Sequence, residues 1–213
     1  MSTGDRPTAT PKESGKRRPA AAPGDGEIAV DADRPTGEVG WLVLVYRIPS
    51  EPSRLRSGVW RKLKSYGAIY LQNSVAAVPD VAALERKIRS LRAEIVEMGG
   101  TGQVLRAGVL AGGDDITAAY NAARDDEYEE ILDKCRDFLT EIDTETAAGH
   151  TTFGELEENE EDLTKLHRWL AKIAERDVLG APGSAPARAA VADCERALDG
   201  FAHLVYGADP DAR

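Results

Sequence analysis

The hydrophobic pattern of the chain opens on a continuous apolar run, Trp41-Leu42-Val43-Leu44-Val45-Tyr46, six positions long and free of polar alternation. Such a run predicts a strand covered on both faces, and Pro49 ends it by removing a ladder donor. Ser53 is placed to cap a helix in which Leu55, Val59, Leu63 and Tyr66 share a face, widened by Trp60 and closed by Gly67. Residues 68–78 read as extended structure broken at Gln72-Asn73-Ser74, where a turn or bulge makes two short antiparallel strands. Pro79-Asp80 opens a second helix with apolar positions at Val81, Leu84, Ile88, Leu91, Ile95 and Met98, a 3-4-3-4-3 spacing that ends at Gly99-Gly100. Residues 102–110 supply a last strand. The order strand, helix, two strands, helix, strand is the ferredoxin-like βαββαβ arrangement of an α+β fold.

After Gly112-Gly113 the apolar period becomes helical throughout. Residues 115–145 place Tyr128, Ile131, Leu132, Cys135, Phe138, Leu139 and Ile142 on one face. Residues 155–177 do so with Leu156, Leu163, Leu166, Leu170 and Ile173, and residues 186–206 with Val191, Cys194, Leu198, Phe201 and Val205. The expected organisation is a disordered tail over 1–39, a ferredoxin-like domain over 40–112, and a C-terminal extension of about three acidic helices over 113–207 packed on or beside it. The tail reading rests on Pro, Ala, Gly, Thr and charge in place of apolar residues, with a basic cluster at Lys16, Arg17 and Arg18.

Charge sharpens this picture. The 213 residues carry a net −10, but residues 41–78 hold six Lys/Arg against one acid, whereas residues 114–178 hold seven against twenty. A polyanion could meet only the first third of the molecule; the later helices repel it. No apolar stretch reaches membrane-spanning length and no secretory h-region is present, so a cytoplasmic protein without membrane contact is expected. Cys135 and Cys194, widely separated, read as buried small hydrophobes, with a disulfide or redox pair as the alternative.

Candidate chemistry is sparse. The histidines, His150, His167 and His203, fall in different elements, and no metal-binding, nucleotide-binding or nucleophile motif occurs, so neither a metal nor a cofactor is expected. The acidic run Glu155, Glu157, Glu158, Glu160, Glu161 and Asp162 reads as a solvated surface, and Asp114, Asp125 and Asp126 as residues favoured by helix dipoles near helix starts. The surface that stands out is the basic helix after the first strand: Arg54, Arg56, Arg61, Lys62 and Lys64, with Trp60 and Tyr66 beside them. Guanidinium groups hold phosphate or oxyanion groups bidentately. The competing expectation is an ordinary solvent face, or pairing with the acidic helices of the same molecule.

Several of these segments together resemble the N-terminal domain of the ChrB family of chromate-resistance regulatory proteins. They are Trp41 to Tyr46, Leu55-Arg56 through Trp60-Arg61, Gly67-Ala68 with Asn73-Ser74-Val75, Tyr120-Asn121-Ala122-Ala123-Arg124-Asp125 with Glu127-Tyr128, and Arg176-Asp177 through Gly180-Ala181-Pro182-Gly183. The resemblance implies a chromate-responsive transcriptional regulator, with chromate as a ligand, DNA as a partner and, because family members often continue into a second domain, a separately encoded C-terminal partner protein. The front half is also similar to the small CRISPR-associated ribonucleases and the related domain of PaaX-type repressors. Where those nucleases carry an aspartate after the first strand, this chain has Tyr46-Arg47-Ile48, and an arginine repels Mg²⁺.

The function expected is therefore a non-enzymatic regulator of the chromate or oxyanion stress response, contacting DNA through the basic helix, with a homodimer through the sheet as one assembly. Two alternatives stay open: a protein-interaction module whose acidic helices meet a basic partner, and an enzyme, either a metal-dependent ribonuclease or a thiol-based chromate reductase.

Overall fold

The computed structural model describes Met1 and residues 39–208. The expected tail, with Lys16, Arg17 and Arg18, lies outside the described residues except for Met1 and Val39. The β-branched run forms β1 (Trp41–Arg47), followed by α1 (Arg54–Ser65), β2 (Ile69–Gln72), β3 (Val75–Pro79), α2 (Ala82–Glu97) and β4 (Thr101–Ala107). The strands pair in the order β2-β3-β1-β4, antiparallel throughout. β1 is thus an interior strand, as its unbroken apolar character requires. At the β2–β3 connection both anticipated irregularities occur: a turn at Asn73-Ser74, with Ser74 at φ 65, and a register shift between Tyr70 and Gln72.

Alternation along β1 sorts its side chains between two cores. Leu42 and Leu44 face α1 and α2, where they join Val59, Leu63, Leu84, Ile88, Leu91 and Ile95. Trp41 faces the other way, with Ile69, Ala77 and Tyr120. The regular spacing within α2 buries Leu84, Ile88, Leu91 and Ile95 as one stripe. At roughly 1.5–3 kcal/mol for each fully buried aliphatic side chain, that stripe holds the helix on the sheet.

Local boundaries differ from the sequence reading in three places, each with a physical reason. Ser53 occupies the N-cap position of α1, but its side chain makes no capping bond; its backbone is already helical, and its carbonyl accepts from Ser57 N. Pro79 ends β3 instead of opening α2, because Asp80 N continues the pairing by donating to Gly40 O at 2.8 Å. β4 stops at Ala107, short of residue 110, because Ala107 is paired with Trp41, where β1 begins.

The helical part consists of α3 (Gly113–Ala148), α4 (Phe153–Arg176) and α5 (Ser184–Ala208), with Thr152 capping α4 through a bond from Glu155 N. Their shared core contains Tyr128, Ile131, Cys135, Phe138, Leu166, Ile173, Val191, Cys194 and Phe201. α3 is one helix of 36 residues serving both cores: Ile116 and Tyr120 lie against the sheet, and Tyr128 to Ile142 lie in the bundle. Because α3 is continuous, Asp125 and Asp126 lie well inside it, and the helix dipole does not account for them; Asp114, in the first turn, does benefit from it. No helix among the described residues is long and apolar enough to cross a membrane.

Candidate nucleic-acid interface

α1 is anchored through Val59 and Leu63, fully buried, with Leu55 and Tyr66 half-buried beside them. At 100° per residue, Arg54, Arg61 and Lys64 project within an arc of about 80° on the opposite side, and Trp60 lies about 40° beyond Lys64. All four side chains are exposed, Trp60 to 50 %. Lys64 Nζ sits 5.7 Å from the centre of the Trp60 ring, and Arg61 Nε donates to Ser57 O of its own helix at 3.4 Å. The result is a strip of three cations and one indole along a helix about 18 Å long.

The other two predicted contacts diverge from this strip. Lys62 projects toward α2, where it is ion-paired with Glu94; that hydrogen bond holds its ammonium above the usual lysine range. Arg56 lies on the far flank, about 160° around the helix from Arg54. Neither Arg54 nor Arg56 has a hydrogen-bond or ion-pair partner among the described residues. None of the five is bound to a bundle carboxylate among the described residues; the ion pair recorded between the α1–α2 layer and the bundle is Lys87–Glu175 at 3.0 Å. Of the two competing expectations, pairing with the acidic helices is not what these side chains do among the described residues.

The end of α1 is tied to the bundle by a buried polar junction that sequence reasoning did not single out as a site. Arg124, 3 % exposed, donates from Nη1 to Gly67 O at 2.9 Å and from Nη2 to Glu127 Oε1 at 3.1 Å. Glu127 also accepts from Arg176 Nε at 2.8 Å, and Arg176 Nη2 is ion-paired with the same carboxylate at 2.7 Å. Tyr120 donates its hydroxyl to Arg176 O and lies 5.2 Å from the Arg124 guanidinium. Tyr128 donates to Asp177, whose carboxylate accepts from Gly180 N and Ala181 N, and Asp125 accepts from Gly183 N at 2.7 Å. Burial pushes the phenols of Tyr120 and Tyr128 up, so both remain hydrogen-bond donors. One signal was present in the sequence: Arg124 occupies a position in the apolar stripe Ile116, Tyr120, Tyr128, Ile131, Cys135, where a charge must find partners.

The remaining candidates have plain placements. Cys135 and Cys194 are buried in the bundle core, with Cys194 Sγ 3.7 Å from Cys135 O; desolvation pushes both thiols up, Cys194 to about 12. Arg47 is the exposed last residue of β1, and no group of three His, Cys, Asp or Glu able to hold a metal ion occurs among the described residues. Glu157, Glu158, Glu160 and Glu161 are exposed on α4, whereas Glu155 is half-buried near Glu145.

Comparison with known proteins extends this picture. The family described as "Protein ChrB, N-terminal" matches residues 56–211, from α1 through the whole bundle. A curated relative named Protein ChrB, from Cupriavidus metallidurans, is 30 % identical over 97 residues, which is 45 % of this chain and 29 % of that protein. The matched region thus spans less than a third of the relative's length. No solved structure matches the chain. Three of the segments quoted for the resemblance converge in space: Gly67, the Tyr120 to Tyr128 stretch and the Arg176 to Gly183 loop are the pieces of the buried junction. With the family match running across that junction and over most of the sequence, the chain belongs to the ChrB family, associated with chromate resistance, through its N-terminal domain.

Proposed function

We propose that this protein is a regulatory module of chromate resistance that contacts DNA through the outer face of α1, acting by binding and not by turnover. The observation that carries the reading is the strip Arg54, Arg61, Lys64 and Trp60, exposed and free of ion pairs to the acidic bundle among the described residues. Each phosphate neutralised by such a cation releases counterions and steepens the salt dependence of binding by about 0.9 per contact. Trp60 adds a flat apolar surface among the cations. Chromate enters this reading as the stress to which the regulator answers.

Fluorescence anisotropy with labelled duplex DNA, titrated over a range of salt, tests it. The wild type is expected to bind at low salt. Arg54, Arg61 and Lys64 changed together to Ala should lower affinity and flatten the log–log salt slope by about 2–3. Arg56→Ala and Lys62→Ala should have smaller effects, since one lies off the strip and the other is held by Glu94. Absence of wild-type affinity at low salt refutes the DNA reading.

A further inference from the structure

α1 does not stand free of its neighbours. It lies beside α2 in one layer on the sheet: both helices pack on the core around Leu42 and Leu44, and the Lys62–Glu94 ion pair joins them. Helices packed side by side stand about 8–10 Å apart and are each about 10–12 Å across, so the layer is roughly 20 Å wide. The major groove of duplex DNA is only about 12 Å wide. Because both helices rest on the same sheet face, α1 does not rise above α2, and a layer of this width does not enter the groove. What the outer face of α1 meets is the sugar-phosphate ridge.

Ser57 marks where that ridge sits. At 100° per residue its side chain projects about 60° from Arg54, about 40° from Arg61 and about 20° from Lys64. Arg54 and Arg61, three positions before it and four after, are its neighbours on the helix surface, with Cβ atoms about 5–6 Å away. Arg61 already folds back over this residue, its Nε 3.4 Å from Ser57 O. Ser65, Thr140 and Thr144 turn their hydroxyls onto carbonyls of their own helices, the usual way such a group is satisfied inside a helix. The exposed Ser57 hydroxyl makes no such bond among the described residues. A short side chain with a free donor, flanked by two guanidinium groups, is shaped to receive a phosphodiester.

We infer that one strand of the duplex backbone crosses α1 at Ser57, with a phosphodiester seated between Arg54 and Arg61, and that this contact does not distinguish sequence. The inference rests on the DNA reading of α1 proposed above and names what part of the DNA that surface takes. Serine hydroxyls and guanidinium groups both donate to phosphate oxygens, and such contacts fix register and orientation without carrying sequence information. The hydroxyl supplies a short-range donor, and the two arginines supply the charge on either side of it. Lys64 and Trp60 border the seat farther along the same face.

Anisotropy titrations of the full chain with labelled duplexes at one fixed low salt concentration test it. Duplexes of unlike sequence should bind within about fivefold of one another, and selection from a randomised duplex pool should return no consensus. Ser57→Gln fills the seat without changing the charge; it should retain the wild-type circular dichroism spectrum and weaken binding by at least about fivefold. Ala93→Gln puts the same side chain at an exposed position on α2 and should change affinity by less than that. A wild type without affinity for any duplex refutes the DNA reading and this inference together. Where the wild type binds, the inference alone is overturned by any of three results. One is a preference of more than about fivefold for one sequence, as base contacts in a groove give. Another is a Ser57→Gln variant that binds within about fivefold of the wild type. The third is an equal loss in Ala93→Gln, which places the effect away from Ser57.

Discussion

Replacing Arg124 by Met tests the buried junction at its most enclosed point. Methionine retains a long unbranched side chain against Tyr120 but removes the charge and both hydrogen bonds. Gly67 O then loses its partner in a buried setting, at a cost of about 1–3 kcal/mol. Glu127 fares better, since Arg176 still donates to it from Nε at 2.8 Å and keeps Nη2 in ion-pair contact at 2.7 Å. Removing one member of an isolated buried ion pair costs about 3–5 kcal/mol because the other is orphaned. Here the second cation limits that loss, and desolvation of Arg124 is relieved. The balance is a destabilisation of about 3 kcal/mol.

Urea unfolding followed by far-UV circular dichroism measures it. With a slope of about 2 kcal/mol per molar, the midpoint should fall by about 1.5 M at unchanged slope. Lys134→Ala serves as the control: it breaks a shorter ion pair with Asp137, at 2.8 Å, but one in which both side chains are at least 60 % exposed. Its effect should stay within about 0.5 kcal/mol. If Arg124→Met proves as mild as the control, the junction contributes no more than a surface pair and the reasoning from burial is wrong.

Gly67→Ala should also destabilise. The residue has φ +75, a region that costs a non-glycine residue about 1–2 kcal/mol, and its new Cβ would stand 2.8 Å from Arg124 Nη1 and 3.1 Å from Arg176 Cβ; thermal denaturation reads the loss. Cys135 and Cys194 should resist a thiol reagent at neutral pH until urea unfolds the chain, because both thiols are buried and pushed upward; immediate labelling of the native protein would contradict their placement. Glu145 has its carboxyl pushed up, first by burial and then by the neighbouring Glu155 and Glu141, with Asn159 opposing. A carboxyl raised in the folded state binds its proton more tightly there, so it penalises folding progressively as pH rises above the unfolded value of about 4.3. Glu145→Gln, which retains an acceptor for Asn159, should therefore gain stability over the wild type between acidic and neutral pH and match it below that range.

Elements specified by local pattern are legible in the sequence alone. β1 announces itself by an unbroken apolar run, and α2 by a stripe whose members Leu84, Ile88, Leu91 and Ile95 are all buried. Features depending on a partner distant in sequence are not. Lys62 looks equivalent to Lys64 until α2 brings Glu94 to it. Asp125 looks like a helix-start residue because nothing local says that α3 continues through it; its partner, Gly183 N, is 58 positions away. The division of α1 into Arg54, Arg61 and Lys64 on one side and Arg56 on the other follows from helical projection, whereas counting charge alone merges them.

The position of Arg54 supplies a test that separates binding from structure. It stands in the first turn of α1, where no acidic residue is present and where the unpaired amides give the helix end a partial positive charge. A cation there opposes the dipole, and Arg54 has no partner among the described residues to compensate. Lys62 and Lys64, in the last turn, have a structural reason for their charge; Arg54 has none. It is also the cation of the strip farthest from the junction that ties α1 to the acidic bundle, about 18 Å along the helix and beyond the Debye length of about 8 Å at physiological salt. Arg54→Glu should accordingly raise folding stability by about 0.5 kcal/mol, in the range of exposed helix-terminal charges, while reducing DNA affinity more than Lys64→Glu does. Parallel denaturation and anisotropy titrations would show the two properties moving in opposite directions. A variant that loses stability and leaves affinity intact would mean that Arg54 is held by the fold, and that the strip on α1 is not the contact surface.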